Sequence, residues 1–195
     1  NSSHTHSGPV LQDALFDMYP LDAVQLEIIK QYSDWLENQI VDLAGNALQS
    51  MESARIFTEN GVTRFQVNRR NNNESTLYKQ TDLNGPNDYA VPVIKVEKDN
   101  GDLLTVAFGY ACHPTVLTIT KWSGDYPGFA QMEFERTHPG ATALFFQGAG
   151  GNQNPMPRRT IALAKQFGRD LVSAVDRVLE EPMRELEPIL KTAYK

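Results

Sequence analysis

Three of the four histidines occupy positions where their imidazoles could meet, and the imidazole nitrogen is a common zinc ligand. His4 and His6 are two residues apart, and His113 follows a nearly continuous apolar run. If residues 4–6 are extended, His4 and His6 project to the same side, because side chains alternate along a strand. Catalytic zinc usually takes three protein ligands and leaves one position open. The pattern favours a metal site, although spacing alone leaves open that these histidines have no shared role.

Asp125 and a glycine-rich loop are further candidates for chemistry. Asp125 lies in the polar stretch 123–128 and could contribute a carboxylate, or it could be a turn residue or helix cap. The loop contains Gly148, Gly150 and Gly151, whose backbone N–H groups could bind an oxyanion ahead of a helix. Alternatively, these glycines only allow a tight turn between a strand and a helix.

Two arginine pairs could receive an anionic or polar group. Arg69 and Arg70 follow a short predicted strand, and Arg158 and Arg159 stand at the start of a predicted helix. A guanidinium group can clamp a carboxylate or a polar head group. Both pairs could equally be solvated surface residues.

Hydrophobic periodicity predicts the elements that position these residues. Helices are expected at residues 22–51, 128–136 and 157–179, with residues 45–46 weakening or ending the first early. Strands are expected at residues 54–58, 64–67, 90–97, 103–111, 142–146 and 187–194. Alternation of helices and buried strands indicates an α/β fold. We expect a mixed, largely buried sheet flanked by two long helices in a three-layer α/β/α arrangement.

The candidate residues share one topological position, because they follow predicted strands. His113 follows the strand at 103–111, and the glycine loop follows the strand at 142–146. Ligands of open α/β sheets bind beyond the carboxyl ends of the strands. If these strands are parallel neighbours, the histidines and the glycine loop converge on one rim of the sheet.

Composition excludes several classes of protein. The 195-residue chain carries a net charge of −6, which argues against a nucleic-acid partner. No apolar run is long enough to span a bilayer, and the single Cys112 cannot form an internal disulfide. The glycine loop matches neither a dinucleotide fingerprint nor a Walker loop, so a nucleotide-binding domain is not supported.

Five segments resemble, in order, motifs of the neutral/alkaline non-lysosomal ceramidases. The segment 4–9 is similar to their Thr-His-Thr-His-Ser-Gly-Pro signature, and 67–69 to their Ile-Asn-Arg segment. The other three matches are 111–115, 123–130 and 146–155. The five motifs together span most of the chain, and their combination in this order is specific for the family.

The resemblance implies a zinc-dependent hydrolase that cleaves the N-acyl bond of ceramide or a related lipid amide by a metal-activated water. It implies that His4 and His113 are zinc ligands and that His6, with Asp125, is a catalytic residue. Arg69 and the loop glycines Gly148, Gly150 and Gly151 would contact substrate. It also implies a secreted, periplasmic or envelope location, with contact to a membrane surface left open and the oligomeric state unknown.

Two departures from the family pattern limit these expectations. Nothing after Pro155 matches the motifs that carry the family's remaining zinc ligands, a Glu and a Tyr, and Gly148 aligns with the family's loop serine. We therefore expect residues 1–195 to be a single, incomplete catalytic domain that binds zinc weakly and is inactive by itself. The alternative is a catalytically degenerate relative that binds a lipid or glycan head group.

Overall fold

A computed structural model describes residues 2–14 and 18–193. The chain divides into two compact units, Asn1–Ser7 with Ala54–Lys195, and Gly8–Ser53. The smaller unit contains helix α1, Ala23–Gln49, none of whose residues is buried. Asp22 and Gln25 form a capping box at its start, as the sequence predicts.

The helix predicted at residues 22–51 is confirmed, and Gly45 and Asn46 do not end it early. The helix continues to Gln49, and the Ser50 N–H closes its last turn on the Asn46 carbonyl at 3.0 Å. One glycine inside a helix costs only about 1 kcal/mol relative to alanine, which a helix of this length tolerates.

In the described part of the chain, the larger unit holds every strand, two further α-helices and a 3-10 helix, Glu74–Lys79. The elements are β1 Ala54–Val62, β2 Gln66–Asn68, β3 Ala90–Lys98, β4 Leu103–Tyr110, α2 Asp125–Thr137, β5 Thr142–Gln147, β6 Gln153–Pro155, α3 Ile161–Leu179 and β7 Arg184–Glu185. Five strands form one sheet in the order β5-β4-β3-β1-β7, and β2 pairs with β6. Only the β4–β5 pair of the described strands is parallel, so the sheet is mixed and the predicted α/β class is confirmed.

The core lies between one face of the sheet and the helices α2 and α3. Alternate residues of β3, β4 and β5 point to this face and are buried, among them Val93, Phe108 and Phe145. They pack with Phe134 of α2 and Leu171 of α3. The predicted apolar face of α3 is confirmed, because Ala164, Phe167, Leu171, Val175 and Val178 are all buried.

Several predicted boundaries differ from the structure. Helix α2 begins at Asp125 rather than at residue 128, because Pro127 fits the first turn, where an N–H would have no helical partner. Helix α3 begins four residues later than predicted, since Thr160 is its N-cap and accepts a bond from the Leu163 N–H at 3.1 Å.

The predicted final strand at 187–194 was wrong over its described part. The last strand is the two-residue β7, paired with Phe57 and Thr58, and no strand follows it to residue 193. Pro188 has no N–H to donate to a ladder, which opposes extension of the strand. Residue 194 lies outside the described residues. Within those, no helix is both long and apolar enough to cross a membrane.

Candidate metal centre

The carboxyl ends of β4 and β5 bring two candidate segments together. These strands are parallel neighbours in register from Thr105–Thr142 to Tyr110–Gln147. His113 follows β4 by three residues, and Gly148 immediately follows β5. The Gly148 N–H donates to the Tyr110 carbonyl at 3.0 Å, which continues the pairing beyond the strand ends. The predicted convergence on one rim is therefore confirmed for His113 and the glycine loop.

The segment with His4 and His6 reaches the same rim by a route that the sequence did not predict. No strand is formed at residues 2–7, and His4 has a left-handed φ of 59°. The expectation that extended backbone aligns the two side chains was therefore wrong. Histidine is one of the residue types enriched in this conformation, although it remains uncommon.

Contacts with Ser123 hold this segment in place. The Ser123 N–H donates to the Ser7 carbonyl at 2.9 Å, and the Ser7 hydroxyl donates back to the Ser123 carbonyl at 3.1 Å. The Thr5 hydroxyl also donates to the Ser123 carbonyl, at 3.0 Å. Ser7 is buried, so the segment is fixed on both sides of His6.

His4, His6 and His113 form a compact cluster. Their ring centroids are 5.0 Å apart for His4–His113, 5.2 Å for His4–His6 and 5.6 Å for His6–His113. One ligand nitrogen from each ring lies within 4.8 Å of the other two. His113 is buried and the other two are exposed, so the cluster is open to solvent on one side.

The orientation of the His113 ring suits a metal ligand. Its Nδ1 lies 2.7 Å from the Gly150 carbonyl, which can only accept, so Nδ1 carries the proton. The Nε2 lone pair is then free. Metal-ligating histidines commonly donate their second ring N–H to a carbonyl or carboxylate in this way. The His113 backbone N–H also donates to the Gln153 carbonyl, at 2.8 Å.

The surroundings of His6 and His113 lower the pKa of both side chains, which favours the neutral form that binds a metal. Burial lowers the pKa of His113, and the Arg69 charge acts in the same direction. Burial, then His4 and then Arg69, lowers the pKa of His6. The donor set and its spacing fit a zinc ion.

Asp125 does not provide a ligand to this cluster. Its carboxylate accepts backbone N–H bonds from Tyr126 at 2.7 Å, Leu117 at 2.9 Å and Val116 at 3.3 Å. Burial raises the pKa of Asp125, and these bonds oppose that shift. The geometry favours the alternative of a turn residue, one that ties the start of α2 to the loop after His113.

The glycine loop borders a cavity of about 360 Å³ together with His4 and His113. The Gly148 N–H donates to the Tyr110 carbonyl at 3.0 Å, and the Gly150 N–H donates to the Gly148 carbonyl at 2.7 Å. Neither N–H group is therefore free for a ligand. The Ala149 and Gly151 N–H groups have no partner within the described part of the chain. The loop runs into β6 rather than into a helix, so no helix terminus adds to its anion affinity.

Three of the four candidate arginines have partners within the protein. The Arg69 guanidinium donates to the Gly151 carbonyl from Nε at 3.1 Å and from Nη2 at 2.7 Å, so it anchors the loop. Arg158 and Arg159 precede α3 and both bind Glu74. Glu74 carried no motif that would have identified it from the sequence.

Comparison with known proteins supports the fold. No protein-family model matches the chain, and no curated protein sequence matches it either. A solved structure titled "Ceramidase complexed with C2" aligns over 94% of this chain with a TM-score of 0.73 and 22% identity. The neutral ceramidase from Pseudomonas aeruginosa aligns over 94% with a TM-score of 0.69 and 21% identity.

The chain spans about 30% of the length of these two structures. The resemblance read from the five motifs is confirmed at the level of the fold, because the alignment covers nearly all of this chain. The chain has the fold found in a part of the neutral ceramidase structures.

Proposed function

We propose that the chain carries the histidine-bearing part of a zinc-dependent amide hydrolase of the neutral ceramidase type. The observation that carries this proposal is the cluster of His4, His6 and His113 at the sheet rim, with ligand nitrogens within 4.8 Å of one another. The ceramidase-like fold supports ceramide or a related lipid N-acyl amide as the proposed substrate class.

Three imidazoles change the expectation for zinc binding. His4 and His113 are the ligands that the motif resemblance implies, and two ligands alone would hold zinc weakly. His6 can complete a three-histidine set, which is a known catalytic arrangement with one open position. Zinc held there would supply Lewis-acid polarisation of a carbonyl and activation of a water.

The other residues then have distinct tasks. Arg69 holds the Gly151 carbonyl and so sets the path of the loop. The unpaired N–H groups of Ala149 and Gly151 are donors for an oxygen of the substrate. Asp125 acts as a positioning residue through the three N–H groups that it accepts.

The test combines metal content with amide hydrolysis. The 195-residue chain, loaded with zinc, is incubated with a short-chain ceramide, and release of the free amine is measured. His4→Ala and His113→Ala should abolish bound zinc, whereas His138→Gln, the one histidine outside the cluster, should leave it unchanged. A folded chain that binds no zinc would contradict the proposal.

One observation favours a second function, a degenerate relative that binds but does not cleave. Gly148 aligns with the family's loop serine, and a Cβ at this position would lie 3.1 Å from the Ala111 Cα. A serine there would need the Ala111 backbone to shift by a few tenths of an ångström. Saturable binding of the ceramide by a folded chain that holds no zinc would favour this second function.

A further inference from the structure

A second polar cavity lies beside the histidine site. It has a volume of about 500 Å³, and its walls include Arg69, Arg70, Glu74 and Asn154. It shares no lining residue with the cavity at His4 and His113. Arg69 connects the two, because it lines this cavity while its guanidinium binds the Gly151 carbonyl in the wall of the other.

The charge at this cavity is positive although the chain as a whole is acidic. Arg69 and Arg70 line it directly. The carboxylate of Glu74 is also in the wall and binds both Arg158 and Arg159. The wall and the residues bound to it therefore carry four guanidinium groups and one carboxylate. The Arg158 hydrogen bonds are the main cause that lowers the pKa of Glu74 to about 2, so it stays ionised at neutral pH.

Arg70 is available to a ligand. Its guanidinium has no hydrogen bond or ion pair to any residue that the structure describes, and its side chain is exposed. Its backbone is fixed, because its N–H donates to the Asn68 Oδ1 at 3.0 Å. Asn68 is buried, so the turn that carries Arg70 is held in place before any ligand binds.

Asn154 is a buried polar side chain that lacks a partner. It is 6% exposed and lines the cavity, and its Oδ1 has no hydrogen bond among the described residues. The buried Oε1 of Gln80, in the same wall, also lacks one. An unsatisfied buried polar group is destabilising, so a ligand that bonds to it gains affinity.

We propose that this cavity binds a phosphate-bearing group. Arg70, and to a lesser extent Arg69, would form charge-assisted bonds to its oxygens, for which the planar guanidinium is well suited. The Asn154 carboxamide can donate to a phosphate oxygen and accept from a protonated one. The site does not depend on the metal, so the proposal stands apart from the proposed hydrolase function.

Titration of inorganic phosphate, followed by isothermal calorimetry at constant ionic strength, tests the site. Arg70→Gln should weaken phosphate binding about tenfold or more, because one charge-assisted contact is lost. Arg136→Gln is the matched control, since Arg136 lies on α2 and its guanidinium binds Glu133, away from this cavity's lining residues. Asn154→Asp should also weaken binding, and His113→Ala should leave it unchanged if the phosphate is not at the histidines.

A second arm distinguishes the source of the phosphate. Cosedimentation with phosphatidylcholine vesicles that do or do not contain phosphatidic acid is compared for the natural chain and Arg70→Gln. Arg70-dependent binding only to vesicles with phosphatidic acid would identify a lipid head group, and phosphate binding without it would identify a soluble phosphate. Absence of phosphate binding in both arms, or binding that Arg70→Gln does not change, would overturn the proposal.

Discussion

The Nδ1 nitrogen of His113 lies 2.7 Å from the carbonyl oxygen of Gly150. This contact joins the loop after β4 to the loop after β5, and it determines which nitrogen of His113 remains free for a ligand. The glycine loop therefore acts on the histidine cluster through a backbone carbonyl. A substitution in the loop should therefore affect His113 when it displaces the Gly150 carbonyl.

Gly150→Ala should weaken zinc binding and destabilise the fold. A Cβ at Gly150 would lie 2.9 Å from the Cys112 backbone and 2.7 Å from the Gln147 Nε2, so the loop must shift. We expect a loss of about 1–3 kcal/mol in the free energy of unfolding, typical of overpacking. Loss of the partner to a ligand histidine typically costs 10–100-fold in metal affinity.

Gly151→Ala is the matched control for that substitution. No atom lies within 4 Å of a Cβ built at Gly151, so the free energy of unfolding should stay within about 0.5 kcal/mol of the natural chain. Urea unfolding and a zinc competition titration measure both effects. Equal behaviour of the two variants would show that the Gly150 carbonyl does not position His113.

Asp125→Asn should destabilise the fold without removing zinc. The carboxylate accepts three backbone N–H groups, and an amide NH₂ in place of one oxygen leaves some of them unpaired. The expected loss is about 1–3 kcal/mol in the free energy of unfolding. Asparagine tolerates the left-handed φ of 52° at this position, so backbone strain is not added.

Glu133→Gln serves as the control for Asp125→Asn. Glu133 lies on α2 and forms a solvent-screened pair with Arg136, whose loss should change the free energy of unfolding little. Thermal unfolding and zinc content are measured for both variants. If Asp125→Asn loses its zinc while its stability is unchanged, Asp125 acts at the metal and the positioning role is wrong.

Ser7→Ala should reduce zinc affinity more than it reduces stability. The Ser7 hydroxyl helps to hold the segment with His4 and His6 against the Ser123 carbonyl. We expect zinc affinity to fall severalfold, because one net hydrogen bond is worth about 1 kcal/mol. Ser53→Ala, at an exposed serine, should change neither quantity. A metal affinity unaffected by Ser7→Ala would contradict the proposed role of this contact.

The ion pairs of Glu74 should make stability depend on acid pH. Hydrogen bonds from Arg158 lower the pKa of Glu74 to about 2, from an ordinary value of 4.5. This stabilisation is fully present above pH 4.5 and is lost as the pH falls from 4.5 through 2. Glu74→Gln should therefore be less stable than the natural chain at pH 7, and the difference should shrink towards pH 2.

Glu37→Gln, at an exposed glutamate of α1, is the control for this pH series. Its difference from the natural chain in the free energy of unfolding should be small at every pH. Guanidinium unfolding at pH 7, 4 and 2.5 measures both differences. A Glu74→Gln difference that is as large at pH 2.5 as at pH 7 would show that the ion pairs do not stabilise the fold.

The residues at the rim of the sheet could be predicted from sequence, because the patterns that mark strand ends lie within short segments of the chain. The apolar runs of β4 and β5 end at polar or glycine residues, and parallel neighbours necessarily place those ends together. His113 and Gly148 were therefore expected on one side of the sheet. The α/β class and the apolar face of α3 follow from the same periodic patterns.

Other parts of the site could not be read from sequence because they depend on distant contacts. The left-handed φ of His4 occurs in a segment that such contacts hold in place. The bonds between Ser7 and Ser123 join residues 116 positions apart. The Glu74 pairs with Arg158 and Arg159 join residues 84 and 85 positions apart. No periodic pattern encodes such contacts, although the motifs did include Ser7 and Ser123.

The most direct test of the histidine site is the zinc content of the purified chain. The protein is saturated with zinc, dialysed against metal-free buffer and analysed by inductively coupled plasma mass spectrometry, with circular dichroism to verify the fold. We predict one zinc per chain in the natural sequence and in His138→Gln, and none in His113→Ala. A folded natural chain without zinc, or equal zinc in His113→Ala, would contradict the proposed metal centre.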